Sequence, residues 1–488
     1  MKVLFVTPEC APMVKTGGLG DVSAALPAAL AQLGCDVALL MPAYADMKID
    51  GSLEGILALP SNGRWPAAQL LRMAATAGRP PLWLLSCPAL YGTADTPYAN
   101  PGDPDDRDQA LRFGFLAHVA ALIGSPETPI GWQADIVHAN DWPCALAPLY
   151  LHQRRQAGQG RTARSVMTIH NLAFQGVFPM AAADLLDVHP AHRGIEGVEF
   201  WGQLSMLKAG LQHADAITTV SPTYAAEIQQ PELGFGLDGV LRQRAGRLHG
   251  LLNGIDTATW NPAIDPLIAA PYSADNLAAK AMNKAALREC CGLRASAGPL
   301  LGMVGRLTTQ KGVDLVLAGA GRLLARGAQL AVLGRGDTHL EEALTALAAA
   351  HPGQVHVTLG FDESLAHLIE AGADCFLMPS RFEPCGLNQM YSQVYGTPPL
   401  VTRTGGLADT VQDADARLTT GTGFVMPGLA QRDFDATADR VLTAWQKPEQ
   451  WAALQRRCMA QDYAWERAAK PYVALYGQLL SETVATAP

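Results

Sequence analysis

Residues 1–24 read MKVLFVTPECAPMVKTGGLGDVSA, and the fold turns on how this stretch is parsed. Val3–Val6 is an apolar, β-rich run too short for an amphipathic helix, which predicts a strand buried on both faces in a parallel sheet. Lys15-Thr-Gly-Gly-Leu-Gly-Asp21 follows, and Val22–Leu30 then carries apolar residues at helical spacing. A strand, a glycine-rich loop and a helix in that order make a candidate phosphate site. Gly17 and Gly18 let the backbone approach a ligand closely, unpaired N–H groups at the helix start favour an anion, and Lys15 adds a point charge. The spacing fits neither the dinucleotide fingerprint nor the Walker loop, so a turn that serves packing alone stays open as an alternative.

Composition sets the outer bounds. A chain of 488 residues is too long for one ordinary core and predicts two or three domains. With 49% hydrophobic and 17% charged residues the composition is globular. The net charge of −9 argues against a nucleic-acid partner, because a phosphate backbone needs a basic face. The chain starts directly on a strand, without a basic and apolar leader, and no apolar run reaches spanning length, so no membrane is expected and a cytoplasmic enzyme fits best. Nine scattered cysteines, with Cys290-Cys291 adjacent and no C-x-x-C, read as reduced thiols.

Beyond the first strand, short apolar runs alternate with helical patterns: Asp36–Met41, Leu82–Leu85, Asp135–His138 followed by the helical Cys144–His152, Arg164–Ile169 and Ala216–Val220. This alternation predicts a doubly wound parallel sheet. Between 50 and 110 the pattern weakens, and with the acidic turn-rich Asn100–Asp106 it predicts a surface excursion. Near 245 the series restarts, with Pro299–Gly305, Leu330–Leu333, Val355–Thr358, Cys375–Met378 and Pro399–Thr402 as strands. The expected organisation is therefore α/β, with two Rossmann-like domains facing a central cleft: 1–245, 246–464, and a last segment 465–488. Ligand-binding residues should follow strand ends.

Several motifs do. Gly305-Arg306-Leu-Thr-Thr-Gln-Lys311-Gly312 places two cations at a helix entrance, and Arg403-Thr404-Gly405-Gly406-Leu407-Ala-Asp409 echoes the loop at Lys15. Asp135-Ile-Val-His138-Ala-Asn-Asp141-Trp142 and Thr168-Ile-His170-Asn171 end two neighbouring strands with polar groups. Met378-Pro-Ser-Arg-Phe-Glu383-Pro-Cys385-Gly-Leu runs a strand into a loop that presents a carboxylate and a thiol. A carboxylate held there is placed to bind hydroxyls or to stabilise positive charge.

Lys15–Val22, His170-Asn-Leu-Ala-Phe-Gln-Gly176, Val220-Ser-Pro-Thr-Tyr-Ala225, Asn253-Gly-Ile-Asp256, Gly305–Gly312 and Arg381–Leu387 together resemble the bacterial glycogen synthase and plant starch synthase family, in order over nearly the whole chain. The resemblance implies a retaining glycosyltransferase of the two-domain B-type fold. It would transfer glucose from ADP-glucose to the non-reducing 4-hydroxyl of an α-1,4-glucan such as glycogen. It further implies that Lys15, Arg306 and Lys311 hold the diphosphate, with backbone N–H groups from Gly17, Gly18 and Thr404–Leu407. Asp141, Asn253 and His170 would contact the sugar and acceptor region, and Glu383 with Cys385 would line the donor glucose. Position 391, where the broader superfamily often has a second Glu, is Tyr391, leaving Glu383 as the acidic candidate. The segment after 465 is similar to a terminal helix that crosses back onto the first domain.

No cofactor and no metal are expected. The D-x-D pairs at Asp103/Asp105, Asp413/Asp415 and Asp433/Asp435 do not follow strand ends at the cleft, and Asp433 and Asp435 suit a helix cap. Two other readings stay open: a related transferase that uses UDP-glucose, and a non-catalytic glucan-binding protein that kept the fold.

Overall fold

All four side chains of Val3–Val6 are fully buried, which is what a central strand covered on both faces demands. The computed structural model describes residues 1–45, 47, 52–75, 78–92, 97–98 and 106–482. They form two compact units, Met1–Gly254 with the segment from Trp465 onward, and Ile255–Ala464.

The first unit is built on a nine-stranded sheet. Its order is Leu248–Gly250, Ala216–Thr219, Arg164–Ile169, Ile136–Asn140, Lys2–Val6, Asp36–Pro42, Leu82–Ser86, Ala68–Met73 and Leu53–Leu59. The first seven pair parallel. The last two add on in antiparallel fashion, correcting the expected surface excursion: Leu53–Leu59 and Ala68–Met73 form a hairpin along the sheet edge. Leu53–Leu59 keeps alternate residues half-buried and the others exposed, Ile56 among them, and Glu54 and Gly55 interrupt its apolar residues. A helix, Asp106–Ile123, closes the same region. The acidic stretch 100–105, with Asp103 and Asp105, lies outside the described residues. The helical pattern at Cys144–His152 is a single turn, Asp141–Cys144, followed by a helix over Leu146–Gln156.

The second unit has a six-stranded parallel sheet in the order Val355–Leu359, Gln329–Gly334, Leu300–Val304, Cys375–Met378, Pro399–Thr402, Phe424–Met426. Period-two alternation divides its strand residues between two apolar layers. Leu301, Met303, Leu330, Val332 and Leu377 pack into one, and Leu300, Ala331, Leu333, Phe376 and Met378 into the other. Helices therefore cover both faces.

In each unit the first strand is internal, and the chain adds its next strand on one side before crossing to the other. The strand order thus reverses between Lys2–Val6 and Ile136–Asn140 in the first sheet, and between Leu300–Val304 and Cys375–Met378 in the second. Ligands of such sheets bind beyond the strand C-termini at this reversal, because the two connections diverge there and leave a crevice.

The terminal helix Lys470–Ser481 belongs to the first unit, with Tyr472, Leu475, Tyr476 and Leu479 in its core. Tyr476 Oη lies 2.6 Å from Nδ1 of the fully buried His138, whose Nε2 meets Thr168 Oγ1 at 2.5 Å. Burial pushes the His138 imidazole down to about 3, so it is neutral at physiological pH. His138 is thus a core residue that receives the terminal helix, not a ligand contact. Arg164 Nη2 donates to the Glu482 carbonyl at 2.8 Å, and Arg247 pairs with the Glu482 carboxylate at 2.8 Å.

Replacing Tyr476 by Phe leaves a buried imidazole nitrogen without its partner while keeping the ring in place. A loss of about 1–3 kcal/mol is expected. Urea denaturation of the Tyr476→Phe variant measures it, and an unchanged midpoint would show that this bond does not anchor the helix.

Candidate active site

At the reversal of the first sheet, the loop after Val6 is held from below by Glu9. Its buried carboxylate accepts the Thr16 backbone N–H at 2.5 Å and the Thr16 hydroxyl at 2.7 Å. Burial raises the Glu9 pKa against the opposing pull of these donors. The helix Gly18–Gln32 begins directly after this anchor, with Gly17 at its N-cap and no side-chain cap. A Cβ on Gly17 would meet nothing within 4 Å, so the fold itself does not require glycine there. Lys15 pairs with Asp21 at 2.8 Å, both about one-third exposed. Such a pair is worth little in water and leaves Lys15 easily redirected to an anion. Asp21, in the first turn of this helix, thus answers Lys15.

Asn140, at the end of the neighbouring strand, joins the two sides of the reversal. Its Nδ2 donates to the Val6 carbonyl at 3.0 Å, which turns Oδ1 toward His170 Nε2 at 2.9 Å. That contact makes Nε2 the protonated nitrogen of His170 and leaves Nδ1 as an acceptor. Burial lowers the His170 pKa to about 3. Asp141 stands next in a left-handed conformation (φ 54°), and its Oδ1 accepts the backbone N–H groups of His170 at 2.7 Å and Asn171 at 3.4 Å. Burial raises this carboxyl to about 7 despite those donors. Asn253, near the end of the unit, is buried, and its Oδ1 has no donor among the described residues.

The second unit brings its candidates into direct contact. Gly305 (φ 147°) and Gly312 (φ 72°) bracket the loop after Val304, and a Cβ on Gly312 would lie 2.1 Å from the Pro379 carbonyl. Only glycine allows that approach, which seats Lys311 against the loop after Met378. Lys311 Nζ is 2.5 Å from Glu383 Oε2, and Ser380 Oγ donates to the same oxygen at 3.1 Å. Glu383 is 6% exposed. Arg306 reaches Gln310 Oε1 at 3.2 Å in an exposed position. Arg381 fixes the two loops together through a bidentate pair with Asp314 at 2.7 and 2.8 Å.

The Thr404–Leu407 segment carries a different role from the one its sequence suggests. The Gly406 N–H donates to the carbonyls of Glu383 and Pro384, both at 3.1 Å, and Leu407 is fully buried in the core. A Cβ on Gly405 (φ 41°) would sit 1.9 Å from the Glu383 carbonyl, and one on Gly406 2.0 Å from that of Cys385. The two glycines let this turn press against the Glu383–Cys385 backbone, so the Gly406 amide is not available to a phosphate. Thr404, at the N-cap, and Cys385 are both buried beside it.

Tyr391 stacks on Trp260 at 3.9 Å between centroids, and Trp260 stacks in turn on His367 at 3.8 Å. The remaining D-x-D acids are engaged locally. Asp413 accepts from Arg440 and the Val425 amide, Asp415 from Thr419 and Thr420, and Asp435 from Gln431, while Asp433 accepts from the Ala430 amide at a helix start, as expected.

Residues 2–243 match the starch synthase catalytic domain family, and residues 293–457 match the family described as glycosyl transferases group 1. A glycogen synthase of Paracidovorax citrulli is 64% identical over 482 residues, covering 98% of this chain and 95% of its own. The chain belongs to the glycogen synthase family. A second glycogen synthase, from Dechloromonas aromatica, is 50% identical over 485 residues and covers 98% of each chain. The catalytic domain of starch synthase IV from Arabidopsis thaliana, solved with ADP and acarbose, superposes with a TM-score of 0.87 at 31% identity, covering 98% of this chain and 99% of that one. The two units are those of the B-type glycosyltransferase fold, and the chain is a glycosyltransferase. No helix among the described residues is long and apolar enough to cross a membrane.

Three features of this site carry no signal in the local sequence pattern or only a weak one. Glu9 sits within the opening stretch, but nothing in its spacing distinguishes a buried anchor from a surface carboxylate. Asn140 likewise becomes informative only once Val6 and His170 flank it. The third is a groove of about 480 Å³ lined by Trp142, the 173–178 loop, Phe200 and Phe235. Trp142 is buried, packs edge-on against Phe113 and contributes one edge to this groove. Phe174, half of which is exposed, was visible as an aromatic in the strand-end motif after His170.

The Asp141 pKa gives a test with a defined sign. The folded chain keeps this proton up to about pH 7, whereas the unfolded chain releases it near pH 4. The associated stability is full below the unfolded value and is lost as pH rises through 7. Asn tolerates the same backbone conformation and cannot ionise. The melting temperature of Asp141→Asn relative to wild type should therefore rise between pH 5 and pH 8, and a difference independent of pH would exclude the raised carboxyl.

Proposed function

We propose that this chain transfers glucose from ADP-glucose to the non-reducing 4-hydroxyl of an α-1,4-glucan, with retention of configuration, in the cytoplasm during glycogen synthesis. The observation that carries the reading is the contact between Lys311 and the buried Glu383, at the point where the second sheet reverses its strand order. It puts a cation and a carboxylate side by side where a sugar diphosphate needs both. As the bond from the anomeric carbon to the diphosphate breaks, negative charge grows on the leaving group and positive charge on the sugar ring. Lys311 and Arg306, with Lys15 as a third cation, favour the first change, and Glu383 favours the second. In this reading the second unit, 255–464, binds the nucleotide sugar and the first binds the acceptor.

On the acceptor side, His170 Nδ1 is an acceptor for a sugar hydroxyl, and Asn253 Oδ1 is a buried oxygen still owed a donor. Gly17 leaves open space over the start of its helix, so a phosphate oxygen can approach those amides. Thr404–Leu407 and Cys385 support the Glu383 loop from behind. The aromatic groove beside Trp142 suits the apolar faces of glucan rings. With donor and acceptor on one face of the sugar, retention needs no covalent intermediate, and exclusion of water protects the activated glucose from hydrolysis.

The direct test compares ADP-glucose and UDP-glucose as donors with glycogen as acceptor, with and without EDTA. ADP-glucose should turn over faster, and initial rates should be unaffected by EDTA, because Lys15, Arg306 and Lys311 supply the charge that a metal supplies elsewhere. Preference for UDP-glucose would select the related transferase, glucan binding without release of ADP would select the non-catalytic reading, and loss on chelation restored by magnesium would overturn the cation assignment.

Glu383→Gln deletes the charge facing the sugar and keeps the side chain's size. Turnover should fall about 100-fold or more with the donor KM little changed, since the sugar's positive charge develops mainly in the transition state. Lys311→Ala should weaken donor binding as well as turnover. It also leaves a buried carboxylate unpaired, so a thermal melt must accompany the kinetics. The double variant should lose less than the sum of the two, because the residues touch. A folded Glu383→Gln enzyme within a few-fold of wild type would remove Glu383 from the catalytic set.

A further inference from the structure

Three histidines outside the transfer site converge in the first unit: His152 on the helix Leu146–Gln156, His192 ending the turn Pro190–His192, and His213 ending the helix Met206–His213. One ring nitrogen from each lies within 4.8 Å of the other two. The sequence separates them by 40 and 21 positions and offers no ligand spacing, and no metal was expected from it.

The hydrogen bonds fix which nitrogens carry protons. His213 Nδ1 is 2.9 Å from the Ala209 carbonyl, which can only accept, so Nδ1 is protonated and Nε2 presents a lone pair. His192 Nε2 is 3.2 Å from Gln156 Oε1, which makes Nε2 its donor and leaves a lone pair on Nδ1. These two lone-pair nitrogens, His213 Nε2 and His192 Nδ1, face each other at 3.3 Å. That arrangement is repulsive unless a proton or a cation joins them. A cation meets the geometry directly. Zinc–nitrogen bonds of ~2.0–2.1 Å in a tetrahedral site put ligand nitrogens about 3.3–3.4 Å apart. The remote N–H of each imidazole already rests on a carbonyl oxygen, as it does in histidines that ligate metals.

His152 supplies the third donor. Its ring centroid is 5.3 Å from that of His192 and 5.0 Å from that of His213, and it makes no hydrogen bond among the described residues. Ring packing alone accounts for the edge-on contacts but not for two opposed lone pairs or an unpartnered imidazole. We propose that His152, His192 and His213 form a tri-histidine site for a divalent transition-metal ion of the zinc type, which ties together the two helices and the turn that carry them. Imidazole donors select such ions over magnesium or calcium, which prefer oxygen. His192 is buried and His152 and His213 are half-buried, which leaves a fourth coordination position for water. The site is structural and separate from Lys15, Asp141 and Glu383, so its occupancy bears on stability and not on the initial rate of transfer.

The test uses full-length protein without an affinity tag, stripped with EDTA and titrated with zinc, cobalt(II) or magnesium. Zinc in excess should raise the melting temperature by roughly 2–5 °C, cobalt should give the visible absorption of a tetrahedral nitrogen-ligated ion, and magnesium should do neither. His152→Gln and His213→Gln should each lose one bound equivalent and the thermal shift. The exposed Cys290 is a competing zinc ligand, so the equivalent lost in the histidine variants is the deciding quantity. Should either variant fail to fold, anomalous scattering at the zinc edge from wild-type crystals decides alone, with a peak expected about 2.0–2.2 Å from all three nitrogens. No peak there, an equal response to magnesium, or variants that retain the full zinc equivalent would overturn the proposal.

Discussion

A parallel strand cannot hairpin to its neighbour, so each connection must travel across a face of the sheet and return. Where successive connections leave to opposite sides, the loops beyond the strand ends are forced apart. This constraint acts twice here, and nearly every chemically active side chain hangs on it. Lys15 and Asp141 follow the two strands that flank the first reversal, and Lys311 and Glu383 follow the two that flank the second. The glycines around these loops serve it too. Gly312, Gly405 and Gly406 exist because one loop backbone must come within contact distance of another, and any Cβ would push the Glu383 loop away from Lys311.

The molecule treats its charges according to burial. Lys15 and Asp21 pair near the surface, where water screens them and the bond is easily exchanged. Lys311 and Glu383 pair below it, where separation is costly unless a substrate charge takes over. Elsewhere burial is met by neutrality or by full coordination. His138 is kept neutral between Tyr476 and Thr168. The buried Lys280, its pKa brought down to about 7 by burial, donates to the Ala371 and Tyr395 carbonyls and the Thr397 hydroxyl. Position 391 follows the same logic. With an aromatic stack of His367, Trp260 and Tyr391 occupying that flank, a second carboxylate would lie against rings, whereas Glu383 lies beside Lys311.

Much was legible in the chain itself. Apolar runs such as Val3–Val6 and the one within Pro299–Gly305 announced buried parallel strands, the glycine loops announced helix entrances, and the motifs after them pointed to Lys15, Asp141, His170, Arg306, Lys311 and Glu383 as candidates. Local sequence suffices for these because strand burial, helical period and backbone freedom are properties of neighbouring residues. It was weaker where one side of an element is solvated. Leu53–Leu59 and Ala68–Met73 pair at one edge of the sheet, where Glu54, Gln69 and Arg72 interrupt the apolar pattern and the region reads as a surface excursion.

Only the tertiary structure decided which of these residues touch and what each touch costs. Glu383 and Lys311 are 72 positions apart, His138 and Tyr476 338 apart, and His152, His192 and His213 lie on three separate elements. It also changed assignments: the amide of Gly406 went to a neighbouring loop, and His138 to the core. The reason is physical. Residue type and local pattern determine what a side chain is able to do, whereas its partner, protonation state and exposure are set by whatever the fold brings within about 3 Å.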